Sequence, residues 1–386
     1  ARPVASAGAE SESTSNSLVA NLRVAVVGAS LGGLSVSNEL HRLGAKVTIF
    51  ELCEVAFHHR GGALGGVDVN LLKRIRGGSI GYQRISGHGH FYGDLWTYLN
   101  EGLPDGTIEF GVTVTEIIGA DTNTPSLIFS NGTQREFDLI IGADGGKSTV
   151  RSYVTNKKPT FSGYTLWRGL VPCRLTNHGP PSGNTIEKGF NYQTLGFPCL
   201  GPNDEELWNC GIYMAMPENE VTPLSQNRQI GNIKKDIPLW FIPLISKLFD
   251  KPSMLFWKDC IENGKVTEHT VYEFATDNAV KGRIILLGDA AHMGSPRTGA
   301  GAYTAMKDAI GLSNAFIKHY DGRVPICNKN NNNNLNNVLK CYNDETILRG
   351  KELYTASRRA AHGFAPLGYD DIISPEELLR ELETRR

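Results

Sequence analysis

The sequence lacks two features that would place it in a common functional class. Its 39 Lys and Arg residues are balanced by 40 Asp and Glu, giving a formal net charge of −1, so it has no basic excess of the kind that phosphate-backbone binding requires. The longest apolar stretch, 238–245, contains Pro243 and is followed by Lys247. That stretch is far shorter than the ~20 residues that cross a bilayer. The sequence therefore predicts neither a nucleic-acid-binding protein nor a transmembrane segment.

Cysteine is sparse and scattered. The seven cysteines form no CxxC pair, and no Cys/His group has the spacing of a zinc site; His58, His59, His88 and His90 have no further ligand at a suitable spacing. We therefore predict no metal, and reduced, mostly buried thiols. Such thiols are typical of the cytoplasm. A plastid or mitochondrial lumen is the alternative if residues 1–20 are a processed targeting remnant.

Length and local composition divide the chain. Its 386 residues predict two domains, or one domain with a large insertion. Residues 1–20 are small and Ser-rich, which predicts a disordered tail. The rest is predicted to form a split nucleotide-binding domain at 21–158 and 278–320, an inserted substrate-binding domain at 159–277, an Asn-rich loop at 321–340 and a helical segment at 341–386.

A β-α-β unit indicates the fold class. Arg23–Val27 and Lys46–Glu51 have the pattern of short buried strands, and between them a helix is predicted from Leu34 to Leu43, ending at Gly44. Strands joined in this way are parallel. We expect an α/β protein with a Rossmann-like domain. The inserted segment has aromatic, strand-like stretches and predicts an α+β domain with a mixed or antiparallel sheet.

A β-hairpin is predicted around Asn131-Gly132. This dipeptide is the strongest short signal for a tight hairpin turn. The strand-like stretches Ser126–Phe129 and Phe137–Ile141 flank it and are predicted to be its two arms.

The turn Gly28-Ala-Ser-Leu-Gly-Gly33 lies between the first strand and the helix. In a dinucleotide-binding turn, the first glycine allows the backbone geometry, a small residue lets a diphosphate approach, and the last glycine allows close helix–strand packing. Ser30 replaces the middle glycine but is small, and its hydroxyl can donate to phosphate. Glu51 ends the second strand, where a carboxylate accepts from ribose hydroxyls. Together these features predict a bound dinucleotide.

Two further segments combine glycine with aspartate. Gly142-Ala-Asp-Gly-Gly146 follows a buried strand, and although Lys147-Ser148 comes next, only three residues separate the outer glycines, so the spacing excludes a P-loop. Gly288-Asp289 follows another buried strand and leads to glycines at the start of an Ala-rich helix. The first amides of a helix have no helix partner, and its dipole is positive at that end. This terminus therefore suits a ligand that gains negative charge.

In this order and spacing, the three segments resemble the FAD-dependent aromatic hydroxylases of the p-hydroxybenzoate hydroxylase class, which are single-component flavoprotein monooxygenases. The resemblance covers residues 22–320. The segments 92–99, 163–169 and 297–301 are similar to the branch related to 2,6-dihydroxypyridine hydroxylase. The resemblance implies FAD as cofactor, NAD(P)H as transient reductant, and a small-molecule substrate together with O2.

The resemblance assigns cofactor contacts to matching positions. It implies that the turn at 28–33 and Glu51 hold the ADP half of FAD, that Asp289 binds its middle, and that the turn at 296–302 lies against the isoalloxazine ring. Asp144-Gly145 matches a segment associated with the nucleotide and the nicotinamide cofactor. The implied cofactor-binding residues are Gly28, Ser30, Leu31, Gly33, Glu51, Leu52, Arg60, Gly62, Val114, Asp144, Gly145, Asp289, Gly299, Ala300, Gly301 and Ala302.

The resemblance also implies the reaction. NAD(P)H reduces the flavin, O2 adds at its C4a carbon, and the hydroperoxide hydroxylates or epoxidises a small aromatic, heterocyclic or polyene substrate. For His292 the alternative is a packing role, and for Arg168 the alternatives are charge neutralisation of a substrate or a structural ion pair. The candidate catalytic residues are His292, Pro296 and Arg168, and the candidate pocket residues are Trp167, Tyr213 and Tyr303.

Two alternative functions stay open. Halogenases and reductases share this fold, although the sequence has no Trp-x-Trp-x-x-Ile segment of the halogenase type. A flavin-binding redox or partner protein without oxygenation is the other alternative, because the chain departs from the family pattern at two positions. Ser30 replaces a glycine, and Tyr92 stands where many relatives have an arginine.

Overall fold

The computed structural model describes residues 19–20, 22–55, 62–65, 67–77, 89–175, 183–187, 190–201, 205–221, 238–248, 251–262, 266–320, 332–362 and 375–384. Arg60 and the histidines at 58, 59 and 88 lie outside these ranges. Within them, no helix is both long and apolar enough to span a membrane. The same residues contain no group of three His, Cys, Asp or Glu side chains that could hold a metal ion.

Helices and strands fall into three groups along the chain. The first group is β1 Arg23–Val27, α1 Leu31–Arg42, β2 Lys46–Glu51, β3 Ala63–Leu64, α2 Val69–Ile75, β4 Gly89–Phe91, α3 Tyr92–Asn100, β5 Ile108–Phe110, β6 Val114–Ile118, β7 Ser126–Phe129, β8 Gln134–Glu136, β9 Leu139–Gly142 and α4 Arg151–Val154. The second is β10 Thr160–Pro172, β11 Gly183–Glu187, β12 Phe190–Leu200, β13 Glu206–Ala215, α5 Phe241–Leu248, α6 Lys251–Glu262 and β14 Thr267–Ala275. The third is β15 Val280–Lys281, β16 Ile284–Leu286, β17 His292–Met293, α7 Gly301–His319, α8 Asn332–His362 and α9 Pro375–Glu383.

A six-stranded sheet carries the nucleotide-binding motifs. Its order is β15-β16-β9-β1-β2-β5, and every pair from β16 to β5 is parallel. Alternate residues face opposite sides: Val24 and Val26 pack with α1, α7 and α8, whereas Ala25 and Val27 pack with the antiparallel sheet β6-β7-β8 and α4. The prediction of an α/β Rossmann-like fold is confirmed.

A second, eight-stranded sheet has the order β17-β14-β10-β13-β12-β4-β3, with β11 paired to β12. Its long strands β10, β12, β13 and β14 are antiparallel. Trp167 and Ile212 pack on one face with α5 and α6, whereas Tyr164 and Tyr213 lie on the other face with Ala361 of α8. Side chains that alternate along one strand therefore pack on opposite faces of this sheet. The predicted domain boundaries stay a prediction.

The hairpin prediction is half right. Gly132 has a φ of 78° in the turn, and Ser126–Phe129 is one arm, but Gln134–Glu136 is the other. The expected arm at 137–141 instead contributes β9, which pairs with β1 and β16 in the parallel sheet. Its uninterrupted apolar run is typical of a strand covered on both faces, and that property outweighs its closeness to the turn.

Two further expectations need correction. The sequence predicts a loop at 321–340, but α8 begins at Asn332. Leu335, Val338, Leu339 and Tyr342 recur at helical spacing and are buried in the main core, so their burial outweighs the weak helix propensity of asparagine. Within the predicted N-terminal tail, Val19 is buried and its N–H donates to the carbonyl oxygen of Leu43 at 3.2 Å. Residues 1–18 and 321–331 lie outside the described part of the chain.

Candidate active site

The turn between β1 and α1 has the close contacts expected of a dinucleotide-binding turn. Gly28 has a φ of 103°, and a Cβ there would lie 2.5 Å from the carbonyl oxygen of Ala143. A Cβ on Gly33 would lie 2.0 Å from the carbonyl oxygen of Gly28. Neither position has room for a side chain, so both glycines are required by the backbone. Leu31 begins α1, whose first turn has no acidic residue to repel an anion.

Glu51 is buried at the end of β2 and is tied to the same turn. Its Oε2 accepts a hydrogen bond from the Ala29 N–H at 2.8 Å, and its Oε1 accepts one from the Cys53 N–H at 3.0 Å. The indole N–H of Trp96 donates to the carbonyl oxygen of Ala29 at 2.7 Å. These bonds fix the carboxylate beside the glycine turn, where a ribose is expected.

Ser30 and Tyr92, the two departures from the family pattern, contact each other. The Ser30 Oγ lies 2.9 Å from the Tyr92 hydroxyl. Ser30 precedes α1 and Tyr92 begins α3. A hydrogen-bonded pair of neutral hydroxyl groups therefore stands beside the glycine turn, where the family pattern has a glycine and an arginine.

Arg151 joins the second and third sequence segments. Its guanidinium donates to the carbonyl oxygens of Gly146 at 2.7 Å, Asp289 at 2.6 Å and Ala290 at 2.8 Å. Asp144 accepts from the N–H groups of Thr149 and Val150 at 2.7 and 3.1 Å, which caps the turn leading into α4. Gly145 has a φ of 77° in this turn. The sequence analysis did not identify Arg151. The one feature of the sequence that could have pointed to it is its position six residues after Gly145.

Asp308 of α7 organises the third segment. Its Oδ2 accepts from the Gly288 N–H at 3.0 Å and lies 2.6 Å from the His292 Nε2, and its Oδ1 accepts from Arg349 at 2.8 Å. Burial lowers the pKa of His292, but Asp308 outweighs this and raises it overall. Burial raises the pKa of Asp308, but His292 and Arg349 lower it overall. His292 is therefore held by a buried ion pair, and this contact favours its packing role over a catalytic one.

The Asp289 carboxyl group, next to this cluster, retains contact with solvent. Protein nevertheless surrounds it closely enough for desolvation to raise its pKa, and His292 and Arg151 partly offset the rise. Asp289 comes shortly after β16 and Glu51 is the last residue of β2, so both carboxylates lie at the carboxyl edge of the parallel sheet. This edge is where ligands bind in open α/β sheets.

A cavity of about 600 Å³ lies between the eight-stranded sheet and the start of α7. This volume suits a small-molecule ligand. At Gly65 and Gly301 a Cβ would meet nothing within 4 Å, and at Gly299 it would meet only the Gly65 carbonyl oxygen at 3.7 Å. Bare backbone therefore borders open space. The residues lining the cavity are Gly65, Gln193, Leu195, Phe197, Tyr213, Pro296, Arg297, Thr298, Gly299, Ala300, Tyr303 and Ala360.

The structure places three of the six predicted catalytic and pocket residues at the cavity, namely Pro296, Tyr213 and Tyr303. The prediction for Trp167 is wrong. Its side chain is fully buried on the opposite face of the sheet, with its ring centroid 4.6 Å from that of Phe241. Strand alternation explains the error, because a tryptophan on β10 reaches one face only.

Arg168 is not among the residues that line the cavity. A Cβ on Gly62 would lie 2.7 Å from its guanidinium carbon, so the guanidinium packs against that backbone. Burial lowers the pKa of Arg168, and Tyr213 partly offsets this. The charged residue at the cavity is instead Arg297, which sequence reasoning missed although it stands in the Pro296–Gly301 segment.

The turn that carries Pro296 is held by one residue of β10 and one residue of α8. The hydroxyl of Tyr164 hydrogen-bonds the Oγ of Ser295, and the Ser295 N–H donates to the Oγ of Ser357 on α8 at 2.7 Å. Ser357 in turn donates to Glu273 of β14, which also pairs with Arg358 at 2.8 Å. The long helix α8 therefore positions the turn, a contribution absent from the predicted site.

The remaining predicted cofactor residues differ in their exposure to solvent. Leu52 is exposed just after β2, beside Glu51. Val114 is buried in β6, and Ala302 is partly buried against the main core at the start of α7. Their roles stay predictions, as does that of Arg60, which lies outside the described residues.

The donor set fits a flavin dinucleotide. The glycine turn and Glu51 offer backbone N–H groups and a ribose acceptor, and Asp289 lies at the same sheet edge. Open backbone at Gly65 and Gly299–Gly301 allows a flat ring to approach the start of α7. A family model described as an FAD binding domain matches residues 261–325, which include Asp289 and this turn.

Comparison with known proteins also indicates an FAD-dependent enzyme. The chain is 26% identical to 2,6-dihydroxypyridine 3-monooxygenase of Paenarthrobacter nicotinovorans over 78% of this chain and 84% of that enzyme. It is 24% identical to 6-hydroxynicotinate 3-monooxygenase of Bordetella bronchiseptica over 86% and 93% of the two chains. The solved structure of 2,6-dihydroxypyridine-3-hydroxylase from Arthrobacter nicotinovorans superposes with a TM-score of 0.68, at 20% identity, covering 92% of this chain and 96% of that one. The chain is therefore an FAD-dependent monooxygenase whose relatives are FAD-dependent aromatic hydroxylases.

Proposed function

We propose that the enzyme uses NAD(P)H and O2 to hydroxylate a small aromatic or N-heterocyclic ring in the cavity at the start of α7. The observation that carries this proposal is the position of the cavity. Bare backbone at Gly299 borders it on one side, and the aromatic side chains of Phe197, Tyr213 and Tyr303 border it elsewhere. A flat substrate fits such a space beside a flat cofactor ring.

The residues that would hold FAD come from the sheet edge and α7. The turn at 28–33 would take the diphosphate, Glu51 a ribose, and Asp289 the linker, while the backbone at 299–301 would border the ring. Bound FAD supplies the chemistry that splits O2, with one oxygen atom going to the substrate and the other to water. The positive end of α7 stabilises negative charge that develops beside it.

The cavity residues bind and orient the substrate. Burial raises the pKa of the Tyr213 hydroxyl far above its ordinary value, so it stays protonated and can donate a hydrogen bond. Tyr303 and Phe197 restrict the ring to one plane and exclude water. We expect a hydroxylated six-membered ring, since both relatives described above are named for pyridine-type substrates. We further propose that the enzyme works in the cytoplasm, or in an organelle lumen, where NAD(P)H is available.

The decisive experiment is reconstitution with FAD followed by turnover in ¹⁸O2. We expect a yellow protein that oxidises NAD(P)H faster when a suitable ring compound is present and forms product carrying one ¹⁸O atom. NAD(P)H oxidation that yields only hydrogen peroxide with every member of a hydroxypyridine and hydroxybenzoate panel contradicts the proposal. That outcome supports a redox protein without oxygenation. A halogenated product formed in the presence of halide would indicate the other alternative.

A further inference from the structure

Two helices that lead away from the cavity present charge of one sign to solvent. Both begin beside the cavity, since Gly65 precedes α2, Tyr303 lies in the first turn of α7, and both residues line the cavity. The sequences of the two helices contain one acidic residue, Asp308, which is fully buried in the cluster with His292. The exposed or half-buried charged side chains of the two helices are Lys73, Arg74, Lys307 and Lys318.

Three of these cations extend outward from the cavity. Tyr303, Lys307 and Asn314 share one face of α7, because their spacings of four and seven residues are close to whole helical turns. The Lys307 Nζ lies 5.2 Å from the centroid of the Tyr303 ring. Asn314 lies about 10 Å further along the helix, and its Oδ1 accepts a hydrogen bond from Arg74 of α2 at 2.7 Å. The cavity, Lys307 and Arg74 therefore follow one another along one face of α7, with Lys73 next to Arg74.

These three cations are available to a ligand. In the described part of the chain, none of Lys73, Arg74 and Lys307 forms an ion pair with a carboxylate. The contacts of Lys307 and Arg74 described above are to a neutral ring and a neutral amide, so they leave the positive charge uncompensated. Cations grouped in this way attract an anion to the surface.

The reductant has anionic groups in a matching order. An enzyme that oxidises NAD(P)H must bring the nicotinamide ring to its flavin, while the rest of the coenzyme extends away from the cavity. After the nicotinamide come the diphosphate and then the adenosine ribose, which carries a phosphate at its 2′ position only in NADPH. Lysine binds a phosphate as a point charge, and arginine can bind one through two parallel hydrogen bonds.

We propose that the coenzyme lies along α7, with its diphosphate at Lys307 and the 2′-phosphate of NADPH at Arg74 and Lys73, so that the enzyme prefers NADPH to NADH. This inference rests on the proposed function, which leaves the choice between the two coenzymes open. It differs from the resemblance, which associates the nicotinamide cofactor with Asp144-Gly145. A carboxylate at Asp144 would repel a phosphate rather than bind it.

Binding of the oxidised coenzymes tests the proposal without turnover. Isothermal titration calorimetry of the FAD-loaded enzyme gives the Kd of NADP⁺ and of NAD⁺, and the bound FAD keeps both away from the glycine turn. We expect NADP⁺ to bind about ten-fold or more tightly than NAD⁺ at low salt, because the two differ only in the 2′-phosphate. The preference should shrink as added salt screens these exposed charges.

Variants assign each phosphate to its cation. Arg74→Gln and Lys73→Gln should each lower the preference for NADP⁺ by about 3-fold, and the double variant should bring the two Kd values close together. Lys307→Gln should weaken both coenzymes by a similar factor, since both carry the diphosphate. Lys147→Gln is the matched control, because Lys147 is an exposed lysine beside the alternative segment Asp144-Gly145. It should leave both Kd values unchanged, and thermal unfolding shows whether each variant is folded.

Several outcomes overturn the proposal. They are equal binding of the two coenzymes to the wild type, tighter binding of NAD⁺, no binding of either, and a preference that survives in the double variant. A preference lost in Lys147→Gln would assign the coenzyme to the Asp144-Gly145 segment instead. Failure of the proposed function is distinguishable, because a protein that prefers NADP⁺ but forms only hydrogen peroxide contradicts the oxygenation and supports the coenzyme site.

Discussion

The hydroxyl groups of Ser30 and Tyr92 lie 2.9 Å apart and join the N-terminal ends of α1 and α3. Ser30 occupies the N-cap position of α1 but makes no side-chain bond to that helix, because its hydroxyl is directed to Tyr92. The two departures from the family pattern are therefore one structural unit. We interpret them as a coupled replacement beside the glycine turn.

The Ser30–Tyr92 bond is expected to contribute to FAD affinity. In Tyr92→Phe or Ser30→Ala, loss of one neutral hydrogen bond should weaken FAD binding by about 3- to 10-fold. Quenching of FAD fluorescence on titration with apoprotein measures the Kd. Because both variants remove the same bond, the double variant should bind FAD about as weakly as either single variant. Fully additive losses would show that the two hydroxyls act independently.

The buried His292–Asp308–Arg349 cluster should govern stability. Asp308→Asn leaves His292 and Arg349 without their carboxylate, and breaking a buried pair from one side costs about 3–5 kcal/mol. Urea unfolding at pH 6 measures the loss in the free energy of unfolding. A variant as stable as the wild type would show that the cluster is not what anchors α8 to the Gly288 turn.

The same cluster predicts a pH dependence. The pKa of His292 is raised in the folded protein, so its contribution is complete below its unfolded pKa and is lost as the pH rises through the folded value. The pKa of Asp308 is lowered, so its contribution is lost only as the pH falls. The wild type should therefore lose more stability than His292→Gln between pH 6 and pH 9. Parallel stability curves for the two proteins would contradict this.

Gly33 is predicted to be indispensable for packing α1 on β1. In Gly33→Ala the new Cβ would lie 2.0 Å from the Gly28 carbonyl oxygen, and the backbone must move to relieve the clash. We expect a loss of about 2–4 kcal/mol in the free energy of unfolding. Gly65→Ala is the control, because its Cβ would meet nothing within 4 Å. Its melting temperature should match that of the wild type.

Substitution of Trp167 should lower stability, whereas substitution of Tyr213 should weaken substrate binding. Trp167→Ala removes a fully buried ring that packs against Phe241 and should cost about 3–5 kcal/mol in stability. Tyr213→Phe keeps the ring but removes the cavity hydroxyl, so it should raise the substrate KM by about 3- to 10-fold with little change in melting temperature. The reverse pattern would place the substrate on the other face of the sheet.

The parts of the fold that could be predicted from the sequence depend on interactions between residues close together in the chain. The β1-α1-β2 unit follows from the hydrophobic pattern and from two local requirements, the positive φ of Gly28 and the close approach of Gly33 to the Gly28 carbonyl oxygen. Glu51 was placed at the end of β2 by the same reasoning, and the structure holds it there. Interactions between neighbours in sequence are fixed by residue type, so one sequence is enough to reveal them.

Contacts between residues far apart in the chain account for the features that the sequence analysis did not identify. The composition of the Asn-rich stretch predicts a loop, yet Leu335 and Val338 are buried in a core that also contains strand residues as distant in sequence as Val24 and Val26. Arg151 and Asp308 are ordinary residues in sequence, and their importance comes from partners such as Asp289 and His292 on other elements. No local pattern marks such contacts.

The sequence by itself determined the fold class, the glycine turn and the dinucleotide-binding character of this protein, because backbone geometry and apolar periodicity act over a few residues. Only the tertiary structure decided which face of each strand meets the cavity. It moved Trp167 into the core, packed Arg168 against Gly62 and brought Arg297 to the ligand space. The physical reason is that a side chain's surroundings depend on the strands and helices packed against it, which lie far away along the chain.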